Sequence, residues 1–461
     1  MEGFQINQQK IFLNLIASAA AIGGFLFGYD TGIISGTLVF IQQTFSISTL
    51  VQEIIVSSVV FGALIGAIFS GKLADHFGRK RLLTYIAYLF IVGTLLSTWA
   101  TSVAVLIIGR FIIGIAIGIT SYVCPLYISE MAPAEKRGGL VLLNGIMITG
   151  GEAISFLMDY LLTPTHSWRL MFATGLIPAI LFLIGMAILP DSPRWMILKG
   201  QTIKARKILT RIRRPDVVDA ELNEIEKSIS ETTYQWSALF SKWLRPALII
   251  GIFLGVCTQF MGINTVMYYG PSIFKSAGFV SYNAQILATF GMGMVNTIMT
   301  IISVLIVDKI GRRKMLLSGL AIAGISLTAI SFIFSLNSHA VYLTWLTFMF
   351  MVTYISGYCL SVGSLFWLII AEIYPLHIRG MAMSFVTAVQ WGANFFVAVT
   401  FLSLLNFAGP AFTFLLYSTV CLIGLIFCYH MVPETRGVSL EQIEKNLRTG
   451  IPSRELGKIT A

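Results

Sequence analysis

Asp30 stands in the middle of an apolar stretch, IGGFLFGYDTGIISG, at residues 22–36. The stretch lies inside a hydrophobic run from about Ile11 to Val39, long enough to cross a bilayer with tilt. A carboxylate at that depth is costly unless it meets a cation or a water-filled cavity. Such acids line ion or substrate paths, or join structural ion pairs. The first run points outward and ends near Val39, so Asp30 lies roughly 13 Å below its outer end. The fourth apolar run points inward from about Val103, so Arg110 lies roughly 10 Å below the same surface and is placed to pair with Asp30. Glu152 is a second acid near the midplane, roughly 18 Å along a fifth run that points outward from about Leu140. Two acids then share one identified cation. If Arg110 goes to Asp30, Glu152 is expected to keep its proton and donate a hydrogen bond; the alternative is a hydrated Glu152 in a wet vestibule.

The elements that set these depths follow from composition. The 461 residues are 56% hydrophobic and 11% charged, with mean hydropathy +0.83, which marks a polytopic membrane protein. Further apolar runs lie at about 53–73, 82–101, 103–125, 140–162 and 169–189, then at about 246–275, 284–307, 315–335, 341–371, 381–405 and 410–432. The fold class expected is an all-α membrane protein of twelve transmembrane helices. Residues 1–190 form a first six-helix bundle, 191–245 a cytoplasmic helical linker, 246–432 a second bundle and 433–461 a cytoplasmic tail. The formal charge of +10 is not a nucleic-acid signature here. Lys72, Arg79, Lys80, Arg81, Lys136, Arg137, Lys309, Arg312, Arg313, Lys314 and Arg379 fall in alternate loops, so the positive-inside rule puts both termini on the cytoplasmic side. The first run is too long and too acidic at its centre for a cleaved signal, and is expected to be retained. The five cysteines lie in apolar stretches without ligand spacing and read as small buried hydrophobes. No HExxH, Walker or GxSxG motif occurs, so neither an enzyme nor a metal or other cofactor is expected.

The halves repeat. GKLADHFGRKR (71–81) follows the second run and VDKIGRRKM (307–315) the eighth. Glu130, Pro133 and Arg137 have the spacing of Glu372, Pro375 and Arg379. PDSPRW (190–195) closes the first half and PETRG (433–437) the second. A duplicated six-span unit is the plan of alternating-access carriers, with the site at the midplane. Together with FGYDTGIISG and QFMGIN (259–264), these motifs resemble the sugar porter family of the major facilitator superfamily over nearly the whole chain. The likeness is greatest to bacterial proton-coupled xylose, arabinose and galactose symporters and to facilitative glucose carriers.

On physical grounds, Asp75, Glu130, Arg137, Asp308, Glu372 and Arg379 at cytoplasmic helix ends either pair to close an inner gate or anchor those ends at the headgroups. The resemblance implies the gate network, with Arg79, Arg194 and Arg312 in it. The linker patterns KARKILTRIRR (204–214) and DAELNEIEKSI (219–229), like SLEQIEKNL (439–447) in the tail, predict short helices. They either brace that gate, as the resemblance implies, or meet anionic lipid. By the same resemblance Asp30 matches the proton-coupling acid and Arg110 the arginine beside it; the uncoupled glucose carriers have Asn at the acid's position. Pairing with Arg110 favours the carboxylate; separation in dry surroundings favours proton uptake.

For sugar, amides supply donors and acceptors together, and an indole covers a C–H face. Gln259, Asn264, Asn296, Trp367, Gln390, Trp391 and Asn394 are of these types, and amides between helices also serve as plain helix glue. The resemblance implies sugar contacts at these positions, with Phe27 as an apolar lid and Tyr268 and Tyr269 as an outer gate. Gly145, Thr258 and Ser364 replace a family Gln, Gln and Pro, and Glu152 stands where xylose symporters carry Gln. The function expected is import of a monosaccharide, hexose or pentose, with a proton by alternating access across the plasma (inner) membrane, with lipid as surroundings and no nucleic-acid partner. A facilitative uniporter and a non-transporting sugar receptor are the rivals.

Overall fold

In hydrocarbon a chain rich in Leu, Ile, Val, Phe and Ala satisfies its backbone only as helix or closed barrel, and here it is helix. The computed structural model describes residues 2–213, 215–230, 239–336, 338, 340–375 and 378–458. The first half contains α1 (Glu2–Phe45), α2 (Thr49–Phe77), α3 (Arg79–Thr98), α4 (Val103–Met131), α5 (Ala134–Leu162), α6 (Trp168–Thr174) and α7 (Leu176–Ile188). Three short helices follow: α8 (Pro193–Leu198), α9 (Thr202–Ile212) and α10 (Pro215–Ser230). The second half contains α11 (Arg245–Phe260), α12 (Ile263–Tyr268), α13 (Gly270–Ser276), α14 (Tyr282–Ile310), α15 (Arg312–Ser335), α16 (Val341–Tyr358), α17 (Ser364–Ile373) and α18 (Arg379–Met431). The tail forms α19 (Leu440–Arg448).

Among the described residues eleven helical stretches are long and apolar enough to cross a membrane. The last, α18, holds two spans. Its 53 residues would reach about 80 Å if straight, well beyond the hydrocarbon core. The chain breaks instead at Gly409 (φ 78°, ψ 163°), immediately before Pro410. Twelve spans result, in agreement with the sequence.

Two further breaks matter for the site. Gly262 (φ 87°) separates α11 from α12; a Cβ there would be both strained and 2.3 Å from the Tyr417 ring. Between α16 and α17 the chain makes a π turn over Cys359–Gly363, with Ser361 at φ −112°, ψ −121°. This span therefore bends although Ser364 stands in place of proline, and the bend falls just before Trp367.

The chain divides into two compact units. One comprises Met1–Asp30, Gly62–Glu152 and Phe172–Thr233; the other comprises Thr31–Phe61, Ala153–Met171 and Tyr234–Ala461. In the first unit the linker is tied to α4. The buried Arg213 donates to the carbonyls of Met131 (2.8 Å) and Ala132 (3.0 Å) and pairs with Glu221 at 2.8 Å. It thus serves the carbonyls left open at the end of α4. The expected apolar faces of α9 and α10 are buried at Ile208, Ile212 and Leu222. All five cysteines are free and buried.

Candidate functional site

In the first unit, α1 and α5 approach along glycines. A Cβ on Gly28 would lie 1.8 Å from the Ile148 carbonyl and 2.9 Å from the Glu152 amide, so only glycine permits this contact two residues before Asp30. Asp30 Oδ1 accepts from Arg110 Nη1 at 3.4 Å. Arg110 is 1% exposed and Asp30 8%, so the pair is shielded from bulk water. The ring of Phe172 lies 5.7 Å from the guanidinium carbon and adds a cation–π contact. Asp30 Oδ2 has no hydrogen-bond partner among the described residues. That leaves an oxygen with free lone pairs in a buried site, the atom on which a proton can be carried. Glu152 is buried too, with its backbone against Gly28. Phe27 is half-buried in the same unit. Gly145 has nothing within 4 Å of a Cβ position, so the missing Gln leaves open space.

The second unit holds the amide and aromatic candidates. Gln259, at the end of α11, accepts from Asn264 Nδ2 at 2.7 Å across the Gly262 break. Asn394 donates to Tyr268 Oη at 3.4 Å, and its Oδ1 is buried without a partner among the described residues. Tyr269 donates to the Ala398 carbonyl at 3.1 Å. Asn296 Oδ1 accepts from Cys359 Sγ at 3.1 Å, at the π turn. Gln390 and Trp391 are buried, whereas Trp367 is 41% exposed and lies edge-on to Phe366 at 5.0 Å. Thr258 donates to its own helix at Leu254 (2.6 Å), so its hydroxyl is turned to backbone and does not replace the missing amide.

Each unit also contains one arginine-centred cluster at a loop between helices. After α2, Arg79 bonds Asp75 (3.0 Å) and Glu130 (2.9 Å), and Glu130 accepts from the Ser192 hydroxyl. After α14, Arg312 bonds Asp308 (2.8 Å) and Glu372 (2.8 Å), and Glu372 accepts from the Thr435 hydroxyl. Arg379 makes no direct bond to a carboxylate among the described residues. It donates to the Tyr374 carbonyl at 3.2 Å and has no ion pair among the described residues. Arg194 is exposed and likewise has no ion pair among them. The side chain of Arg137 lies outside the described residues. Tyr374, in the turn between α17 and α18, is buried, and that burial pushes its phenol above its ordinary pKa.

Sequence reading missed several groups. Asp191 accepts from the amides of Lys80 (3.2 Å) and Ser192 (2.9 Å). Glu434 accepts from those of Arg312 (3.0 Å) and Arg313 (3.1 Å). Each carboxylate thus caps a helix start. The signal was available: both acids sit in the repeated PDSPR and PETRG motifs. Asp159, seven residues after Glu152, is fully buried in the second unit and accepts from the Gly36 amide at 3.0 Å, while Tyr282 donates to the Gly36 carbonyl at 2.7 Å.

A helical membrane protein with two related halves, a buried acid–arginine pair and duplicated charge clusters has the makings of a carrier. Residues 16–447 match the family model described as "Sugar (and other) transporter", and the chain belongs to that family. The galactose-proton symporter of Escherichia coli (strain K12) is 38% identical over 98% of both chains. The D-xylose transporter of Levilactobacillus brevis is 38% identical over 97% of this chain and 99% of its own. Among solved structures, the xylose transporter XylE from E. coli, in a partially occluded inward open conformation, superposes with a TM-score of 0.83. It is 28% identical over 93% of this chain and 99% of its own.

Proposed function

We propose that the protein imports a monosaccharide, hexose or pentose, together with a proton by alternating access. The observation that carries this reading is the buried Asp30–Arg110 pair. A membrane-embedded acid that can exchange its cation for a proton is the minimum equipment of a coupled carrier. Arg110, adjacent, offers the charged form of Asp30 its counter-ion. When α1 and α4 shift and the pair parts, the same carboxyl takes a proton and loses its charge, and the site, still in place, then opens to the other side to release proton and sugar. The names of the relatives, proton symporters of galactose and of other sugars, support the same cycle.

In this reading Gln259, Asn264, Asn296, Gln390 and Asn394 bond sugar hydroxyls, and Trp367 and Trp391 cover its C–H faces. Phe27, Tyr268 and Tyr269 close over it from outside. The Arg79 and Arg312 clusters close the cytoplasmic side, with Arg137, Arg194 and Arg379 at their edges. Residues 1–190 and 246–432 act as the two bundles, 191–245 as linker and 433–461 as tail. Both termini are cytoplasmic and the membrane is the plasma (inner) membrane. The protein moves its substrate without altering it.

The test is uptake into proteoliposomes under an imposed proton gradient, with labelled glucose competed by pentoses, hexoses and inositols. Uphill accumulation should appear with the gradient and collapse with a protonophore. Accumulation indifferent to the protonophore would overturn the coupling, and equilibration without accumulation would identify a uniporter.

A further inference from the structure

Glu53 is the one acid of the α2 span that faces neither loop nor cluster, and no function described above uses it. It lies one turn into α2 and is 0% exposed. Its partner is a single residue 350 positions away. Oε1 accepts from the Ser403 backbone amide at 2.6 Å and Oε2 from the Ser403 hydroxyl at 2.6 Å. No Lys, Arg or His among the described residues pairs with it. The contact belongs to a longer seam inside the second unit. Asn406 Nδ2 donates to Thr49 Oγ1 at 3.3 Å, and the Phe61 and Phe395 rings lie 5.3 Å apart. Going along α2 from 49 through 53 to 61, the partners on α18 fall from 406 through 403 to 395. The two helices therefore run antiparallel, and the seam joins the first half of the chain to the second.

We propose that the Glu53 carboxylate on Ser403 is the latch that holds this seam shut, and so sets how readily the carrier opens on the side of these helix ends. The physical reason is that a carboxylate without a cation needs every donor it has. Both of its strong, charge-assisted bonds come from the opposite helix. Parting the seam removes both at once, and only entering water can replace them, so the closed seam is favoured until the cavity floods. Asn406–Thr49 and Phe61–Phe395 give shape to the seam but contain no charge to strand. The proposal rests on the alternating-access reading.

The test uses nitroxide labels on Leu50→Cys and Phe407→Cys, both at exposed positions, in the full-length protein, whose native cysteines are buried. Spin–spin broadening marks the closed seam, and it is read without any transport assay, so failure of the symport reading is separable. Glu53→Ala should raise the unbroadened, open fraction about ten- to hundredfold relative to the closed one. Ser403→Ala keeps the amide donor and should raise it by a smaller factor, about threefold or more. Glu53→Gln, with one acceptor and one donor for the same serine, should stay nearer the parent than Glu53→Ala. Broadening in Glu53→Ala equal to the parent's would overturn the latch. Should Glu53→Ala not fold, unchanged broadening in Ser403→Ala would overturn it on its own.

Discussion

At Gly78-Arg79 and at Gly311-Arg312 the two halves build the same object from the same parts. Both glycines have positive φ, 88° and 96°. At both, a Cβ would collide with a carboxylate, Asp191 at 2.7 Å and Glu434 at 2.6 Å. Both arginines bind a glutamate on another helix and an aspartate four residues back, and both glutamates accept from a hydroxyl in the closing motif. The middles of the halves are unlike. The first holds Asp30, Arg110 and Glu152; the second holds amides and indoles with no acid among the candidates. Duplication has kept the arginine clusters alike in the two halves and let the middles diverge, and on the proposed reading that divergence divides the two cargoes between them. Proton chemistry needs charge and a dry environment, whereas sugar chemistry needs neutral donors and acceptors that release their ligand.

The strongest way to break that division is Asp30→Asn. Asn keeps the shape and loses the exchangeable proton. Accumulation against a gradient should vanish while sugar exchange across proteoliposomes persists, and uphill uptake at the parent level would end the assignment. Next come the clusters. Removing one partner of a buried pair costs about 3–5 kcal/mol. Arg79 and Glu130 are 7% and 5% exposed, against 10% and 22% for Arg312 and Glu372. Arg79→Ala should therefore lower thermal stability more than Arg312→Ala, and equal losses in a melting assay would mean that burial does not separate the clusters. The sugar side follows. Gln259→Ala and Trp367→Ala should each weaken binding by about 1–3 kcal/mol without affecting proton dependence; unchanged affinity in both by calorimetry would move the site. The smallest effect belongs to Glu152→Gln, which should bind sugar within about threefold of the parent at pH 7, since an amide can donate as a protonated carboxyl does. A loss beyond about tenfold would put an indispensable charge there.

How much of this was legible in the sequence depended on the range of the cause. Hydropathy placed the spans, and depth arithmetic put Asp30 with Arg110, because both are properties of one helix at a time. Repeated spacing found Glu130 and Glu372, and the family resemblance added Arg79 and Arg312. The spacing also pointed to Arg379, which the structure bonds to the Tyr374 carbonyl, because spacing along one chain does not choose the partner across the fold. Glycines 24, 28, 32 and 36 recur every four residues, a spacing that permits close helix packing, but it does not say that Asn144 and Ile148 face the first of them and Asp159 the last. Glu53 and Asp159 could not be read at all. Each sits near the end of an apolar run, where acids are common, and only the tertiary approach of another helix buries it. The bends at Gly262 and Ser361 were equally hidden, since serine at 361 offers no local reason to leave the helix.

The tie between Arg213 and the end of α4 turns that helix into a lever. Its foot, at Met131 and Ala132, is clamped to the linker. Pro125 lies inside it, and a proline lacks the amide that would stiffen the turn, so the unbroken helix would use that turn as its joint if the arm were to bend. Arg110 rides on that arm about 22 Å from the joint. A rotation of about 5° there sweeps the guanidinium through about 2 Å, enough to take a 3.4 Å ion pair out of hydrogen-bonding range while the foot stays still.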